Sequence, residues 1–312
     1  MAKKQTVTAT ISLLFIALVW GATFTFTKNA LTDVGVFTYL FMRFIVAAII
    51  LFLIVFVSSR SRSSLGLKTW IVGVVLGLLL FGAYAFQTLG LASISPAMSG
   101  FLTGLNVVLV PLFAIPILKI KPKPRTWMAT LIAVIGLALI SGIGIVAIHG
   151  GDMDTIVCAA FIALQILLVE RLGGSIDSLA LAAIEVLVVA ICSLLMISMQ
   201  HQLVTLSVKV WIEPAVFWAV MVNAVLGTAL AYWGQNVLQK HTSSAQTAII
   251  FSTEPVFAAL FSWVVLGTTL SVVGWAGGGL IFVSMLIADP NIAWNHVPMF
   301  KRLSEGTNHD GK

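Results

Sequence analysis

AIIFSTEPVFAALFSWVVLG, residues 248–267, is an apolar run with one acid-proline pair, Glu254-Pro255, near its middle. A run of about 20 apolar residues is long enough to cross the ~30 Å hydrocarbon core of a bilayer as a helix. With the span placed at 245–266, Glu254 lies roughly 14 Å in at ~1.5 Å per residue, close to the midplane. Ionisable side chains at that depth are costly and face a polar cavity or the bundle interior, so Glu254 is the leading functional candidate. Pro255 has no N–H and disturbs the helix. It is a candidate hinge, with nearby carbonyls free to face the same cavity.

The rest of the chain extends this reading. Of 312 residues, 60% are hydrophobic and 9% charged, and the mean hydropathy is +1.09. A soluble chain of this length needs far more polar residues to cover its surface, so the composition specifies a polytopic helical membrane protein. Ten segments have the required length and apolarity: 8–27, 36–57, 69–90, 97–118, 126–147, 153–171, 178–199, 215–237, 245–266 and 272–288. Lys3 and Lys4 before an apolar run resemble a signal peptide, but the run continues through Trp20 to Phe26 without a small-residue cleavage site, which favours a retained first helix. Cys158 and Cys192 fall inside predicted spans and read as free thiols.

Loop charges orient the spans. A cytoplasmic N-terminus puts fourteen basic residues inside, among them Arg60, Arg62, Lys68, Lys119, Lys121, Lys123, Arg125, Arg171 and Lys240, against Lys28 and Lys209 outside. That bias supports ten spans with both termini cytoplasmic. The net charge of +6 therefore reflects orientation, and nucleic acid is not an expected partner.

The chain also repeats. At an offset of 148, Trp70 pairs with Trp218, Ala83-Tyr84 with Ala231-Tyr232, Gln87 with Gln235, Ser95 with Ser243, Leu112-Phe113 with Leu260-Phe261, and Trp127 with Trp275, giving fourteen identities over fifty-eight ungapped positions. Spans 3 to 5 thus correspond to spans 8 to 10, and by extension 1 and 2 to 6 and 7. Residues 1–148 form one five-helix repeat, 149–290 its counterpart, and 291–312 a cytoplasmic tail. An odd number of spans per repeat turns the second upside down, the arrangement of carriers with alternating access about a midplane site. GxxxG spacings at Gly73/Gly77, Gly100/Gly104 and Gly274/Gly278 are compatible with close helix approach, and equally with chance in apolar helices.

These residues resemble the EamA family of the drug/metabolite transporter superfamily. The resemblance runs from Trp20-Gly21 through Arg43 and SGFLTGLNVVLVP at 99–111 to TEPVFAALFSWVVLG at 253–267. It implies an all-α integral membrane protein of ten transmembrane helices in two inverted five-helix repeats, moving amino acids, other small metabolites or drugs across the inner membrane, often outward. Many relatives carry Gly-Glu after the ninth span, where this chain has Gly267-Thr268.

Several residues then compete for roles. Glu254 corresponds to Asn106 at the 148 offset, so one central cavity would receive a carboxylate and an amide. Glu254 either exchanges a proton for substrate or a cation, or is a structural carboxyl bonded to a neighbouring helix. Arg43 either binds a substrate carboxylate or phosphate or snorkels to the outer headgroups. Trp20 either stacks on substrate or packs. Tyr84 with Gln87, and Tyr232 with Gln235, are candidate gates at opposite entrances, or interfacial anchors. Glu185 reads as a carboxylate near the cytoplasmic interface or paired with a neighbour such as Arg171.

Three function classes follow. A secondary transporter for amino acids or related metabolites, with export the expected direction, is favoured, and a proton-coupled drug exporter is the alternative within that class. No GxxxxGK[ST] loop is present, so direct ATP drive is not expected. A membrane-embedded enzyme is disfavoured because His149, His201, His241, His296 and His309 all fall outside the predicted spans. A channel lacks a selectivity-filter sequence or rings of charge. The expected partners are a small-molecule substrate, the lipid bilayer and protons as a coupling ion. No cofactor or metal is expected, and the internal repeat makes a monomer sufficient.

Overall fold

In the computed structural model, residues 2–141, 150–201, 206–267 and 271–288 are described. The tail 291–312, the boundary between the repeats at 148–149 and Thr268 lie outside them. Ten spans follow in order: span 1, Ala2–Ala30; span 2, Val36–Val57; span 3, Leu67–Ser93; span 4, Pro96–Gly104 with Asn106–Leu118; and span 5, Pro124–Ser141. The second half comprises span 6, Gly150–Leu172; span 7, Ser178–Met199; span 8, Pro214–Ala224, Val225–Leu230 and Ala231–Leu238; span 9, Ser244–Phe251 with Glu254–Leu266; and span 10, Val272–Ala288.

Local chemistry sets several of these starts. Ser95 and Ser243, identical in the repeat, are the N-caps of spans 4 and 9, their hydroxyls accepting from Met98 N and Gln246 N, each at 3.2 Å. A helix N-terminus leaves four N–H groups unpaired, and a serine at each start satisfies one of them. Asp177 does the same for span 7, accepting from Leu179 N at 3.1 Å and Ala180 N at 3.0 Å.

Three spans depart from the simple helices expected of them. Spans 4 and 9 each break near their middle, and the second piece starts at Asn106 in one and at Glu254 in the other. Pro255 falls in the first turn of its piece, where the absent N–H is no loss. Span 8 carries a π-helical turn at Val225–Leu230, which its counterpart, the continuous span 3, lacks.

Packing follows the repeat. Span 1 lies against spans 8 and 9, as span 6 lies against 3 and 4; span 2 lies against 7 and 8, as span 7 lies against 2 and 3. Spans 4 and 9 pair with each other, and so do spans 5 and 10. Exchanging every span with the one five later reproduces all of these contacts, so the halves are related by a two-fold operation.

Glycines permit the closest approaches. A Cβ on Gly73 or Gly77 would stand 2.6 Å from the side chains of Ile184 and Val188, so the first GxxxG spacing seats span 3 on span 7. At Gly100 the same construction meets Pro255 at an ordinary 3.5 Å. The outward faces carry apolar side chains such as Ile11, Phe15, Leu53 and Leu131, while Arg43, Asn106, Gln165, Glu185, Asn223 and Gln235 are buried between the spans. This is the distribution a lipid solvent requires: apolar groups outside, polar groups within.

Candidate functional site

The two broken spans define the middle of the molecule. At each break the backbone tightens into i to i+3 bonds, Leu105 N to the Leu102 carbonyl in span 4 and Thr253 N to the Ile250 carbonyl in span 9, before the second piece begins. Beside the breaks is a central cavity of about 740 Å³, counting its open mouth, and both Asn106 and Glu254 line it. Trp20, Arg43, Tyr84, Gln87, Tyr232 and Gln235 complete the set of lining residues anticipated from the sequence. Pro255 does not line the cavity.

Arg43 is the best-defined group. Only 3% exposed, its side chain does not reach the headgroups. Its Nε donates to Thr228 Oγ1 at 2.8 Å, and its Nη2 to Tyr84 OH at 3.1 Å and to the Gly227 carbonyl at 3.2 Å. The guanidinium carbon lies 4.6 Å from the Tyr84 ring centre, close enough for cation–π attraction. The π-helical turn explains the carbonyl. In such a turn the backbone bonds run i to i+5, and the widened ladder lets Gly227 O accept from Arg43 and from Trp20 Nε1, at 2.8 Å.

Trp20 is thereby held with its ring 4.8 Å from Phe251 and 5.6 Å from Tyr232. The tyrosines do not stand at opposite entrances. They meet at the centre, Tyr232 OH donating to Tyr84 OH at 2.9 Å. Residues related by a two-fold axis touch only where they lie on it, and the depths estimated from the span boundaries placed them apart. Gln87 Nε2 reaches Thr103 Oγ1 at 3.3 Å, and Gln235 Nε2 reaches Gln165 Oε1 at 3.0 Å.

The Glu254 carboxyl has no hydrogen bond or ion pair among the described residues. Asn106 donates its Nδ2 to the Thr103 carbonyl at 2.8 Å, leaving its buried Oδ1 without a partner among those residues. Buried acceptors are normally satisfied, and a bound solute with donors would do so here. The cavity thus presents a fixed cation, a carboxyl and the Asn106 amide, its buried oxygen unpartnered among the described residues, against a wall of Trp20, Phe24, Tyr84, Tyr232 and Phe251.

Glu185 departs from expectation. It is fully buried, and its partners are Asn236 Nδ2 at 3.0 Å and Gln165 Nε2 at 3.4 Å, not Arg171. Arg171 donates instead to the Ile117 carbonyl at 2.8 Å, at the end of span 4. Sequence reasoning also passed over Gln165, whose signal was plain: an amide in an otherwise apolar stretch of span 6.

Comparison with known proteins agrees with this architecture. The family model described as "EamA-like transporter family" matches residues 7–142 and 150–288, once in each half. An "Uncharacterized transporter" of Archaeoglobus fulgidus is 31% identical over 283 residues, covering 90% of this chain and 85% of its own length. "Uncharacterized transporter YrdR" of Bacillus subtilis is 28% identical over 189 residues, covering 56% and 57%. A solved crystal structure aligns with a TM-score of 0.73 at 17% identity, covering 90% of this chain and 96% of the other, a likeness of fold.

Proposed function

Since the chain belongs to the EamA-like transporter family, we propose that it is a secondary transporter that moves small metabolites, amino acids or related compounds, across the inner membrane by alternating access. Its substrate site is the central cavity. The observation that carries this reading is the convergence of both broken spans on one cavity, which brings Asn106 and Glu254 together with Arg43. Arg43 offers donors to a carboxylate, while Glu254 and Asn106 Oδ1 offer acceptors to an ammonium group. A solute with both charges satisfies all three.

Glu254 is the coupling residue in this reading, carrying a proton in one direction and releasing it as substrate binds. The cavity runs from Thr27 and Leu91, near the ends of spans 1 and 3 assigned to the outside, to Gln165 and Gln235 toward the cytoplasm. The hydrogen bond between those glutamines closes its inner end, and in this reading export requires the opposite end to open. Both termini then lie in the cytoplasm, and a monomer suffices.

A second reading, a proton-coupled exporter of apolar drugs, is favoured by the aromatic wall alone. Counterflow in liposomes preloaded with amino acids, other metabolites and lipophilic cations, with and without a pH gradient, separates the two. Saturable, trans-stimulated uptake of amphoteric solutes supports the first reading, and uptake confined to lipophilic cations supports the second. Glu254→Gln is expected to retain its fold and abolish the response to the gradient; an unchanged response removes Glu254 from the mechanism.

A further inference from the structure

Glu185 is buried without a cation, held by amides whose orientation has a single origin. The Ile166 carbonyl can only accept, so Gln239 turns its Nε2 to it, at 2.6 Å, and its Oε1 toward Gln235. Gln235 Nε2 then bonds both Gln239 Oε1, at 3.2 Å, and Gln165 Oε1, at 3.0 Å. That leaves the Gln165 nitrogen for Glu185 Oε2. One backbone acceptor thereby orients three glutamines in series, ending on the carboxyl.

Asn236 is under no such constraint. Its Nδ2 donates to Glu185 Oε1, while its Oδ1 is buried and has no partner among the described residues. Turning the amide over therefore breaks no bond at the oxygen. Two hydrogen-bonded arrangements result: a carboxylate accepts from Nδ2, and a carboxylic acid donates its O–H to Oδ1. The orphaned oxygen is the acceptor that the second arrangement needs. A metal ion does not suit the site, because the amides meet the carboxyl through nitrogen, and no cluster of three or more His, Cys, Asp or Glu residues surrounds it among the described residues.

We propose that Glu185, with Asn236 as its reversible partner, is a second proton-exchange site, reached from the central cavity past Gln165. Gln165 and Gln235 line the cavity while belonging to this network. When Gln165 swings aside, the carboxyl turns about its Cγ–Cδ bond and brings the protonated oxygen from Asn236 to cavity water: the O–H bond breaks, its electron pair stays on that oxygen and the proton leaves on water. Tyr39 and Arg43 on span 2, Tyr84 on span 3, Cys158 on span 6 and Tyr232 on span 8 are ionisable groups that the neighbouring spans bury among the described residues. None hydrogen-bonds Glu185. Nearer the cytoplasmic end, Glu170, Arg171 and Lys240 are engaged with Ser244 N, Ile117 O and Ile176 O. The site stands whether or not Glu254 couples transport.

The test is infrared difference spectroscopy of the reconstituted full-length protein during a pH titration, following the carbonyl stretch of protonated carboxylic acids, with no substrate present. Glu185→Gln is expected to remove one band that Glu254→Gln leaves in place, and Asn236→Leu to shift that band to the position of an acid lacking its hydrogen bond. A spectrum that Glu185→Gln does not change overturns the proposal, as does a band that responds to sodium at constant pH. Where Glu185→Gln fails to fold, Asn236→Leu decides: a displaced band supports the site and an unmoved one overturns it.

Discussion

Gly21→Ala is the sharpest probe of how span 1 holds the site. A Cβ built on Gly21 stands 2.7 Å from the Glu254 carbonyl oxygen, 2.7 Å from Phe257 Cβ and 2.8 Å from Ala258 N. Ordinary contact begins at 3.4 Å, so the helices must separate by about 0.7 Å, the shortfall from 2.7 Å. Two of the three obstructing atoms are backbone and the third is a Cβ, and none can rotate away. Overpacking of this kind costs about 1–3 kcal/mol, and rigid neighbours place this case toward the upper end. At roughly 2–4 °C per kcal/mol, the detergent-solubilised variant should unfold about 4–12 °C below wild type. Because the obstructed backbone begins at Glu254, counterflow should fall as well. Gly174→Ala, with nothing within 4 Å of its added carbon, is the control and should leave stability unchanged. A Gly21→Ala protein as stable as its control would refute the contact between spans 1 and 9 as described.

The central hydroxyl pair supplies an asymmetric comparison. Tyr84 OH accepts from both Arg43 and Tyr232, so Tyr84→Phe strands two buried donors at about 1–3 kcal/mol each, whereas Tyr232→Phe loses one bond of about 1 kcal/mol. Thermal midpoints should fall further for Tyr84→Phe, and equal falls would refute the shared acceptor. Arg43→Lys replaces a planar fork by a point charge, and should lower counterflow of carboxylate-bearing solutes about tenfold while sparing those without a carboxylate. An equal loss for both classes would assign Arg43 a purely structural role.

Much of this was legible in the sequence, for identifiable reasons. Span length and loop charge follow from the solvent, and the 148-residue repeat survives as paired Trp, Tyr and Gln. The depth of Glu254 is a matter of counting along one helix, and the repeat then led to Asn106. What sequence could not supply was rotation and partnership. Arg43 sits within reach of the headgroups by count, and only the packing of spans 3 and 8 against it turns it inward. Tyr84 and Tyr232 were assigned different depths because their meeting depends on where the two-fold axis falls. Glu185 looked superficial because its partners, Gln165 and Asn236, come from different spans.

The π-helical turn at Val225–Leu230 separates ancestry from geometry. Trp218 and Tyr232 are as many positions apart as Trp70 and Tyr84, yet the first pair has the wide turn between them and the second has uninterrupted α-helix. A wide turn behaves as one inserted residue, which displaces the downstream face by on the order of 100°. Equal spacing in the chain has become unequal bearing in space. Under the proposed alternating access, two interchangeable halves would give the inward-facing and outward-facing forms of an empty carrier equal energy. The turn, present in span 8 and absent from span 3, is one structural difference that removes that equality.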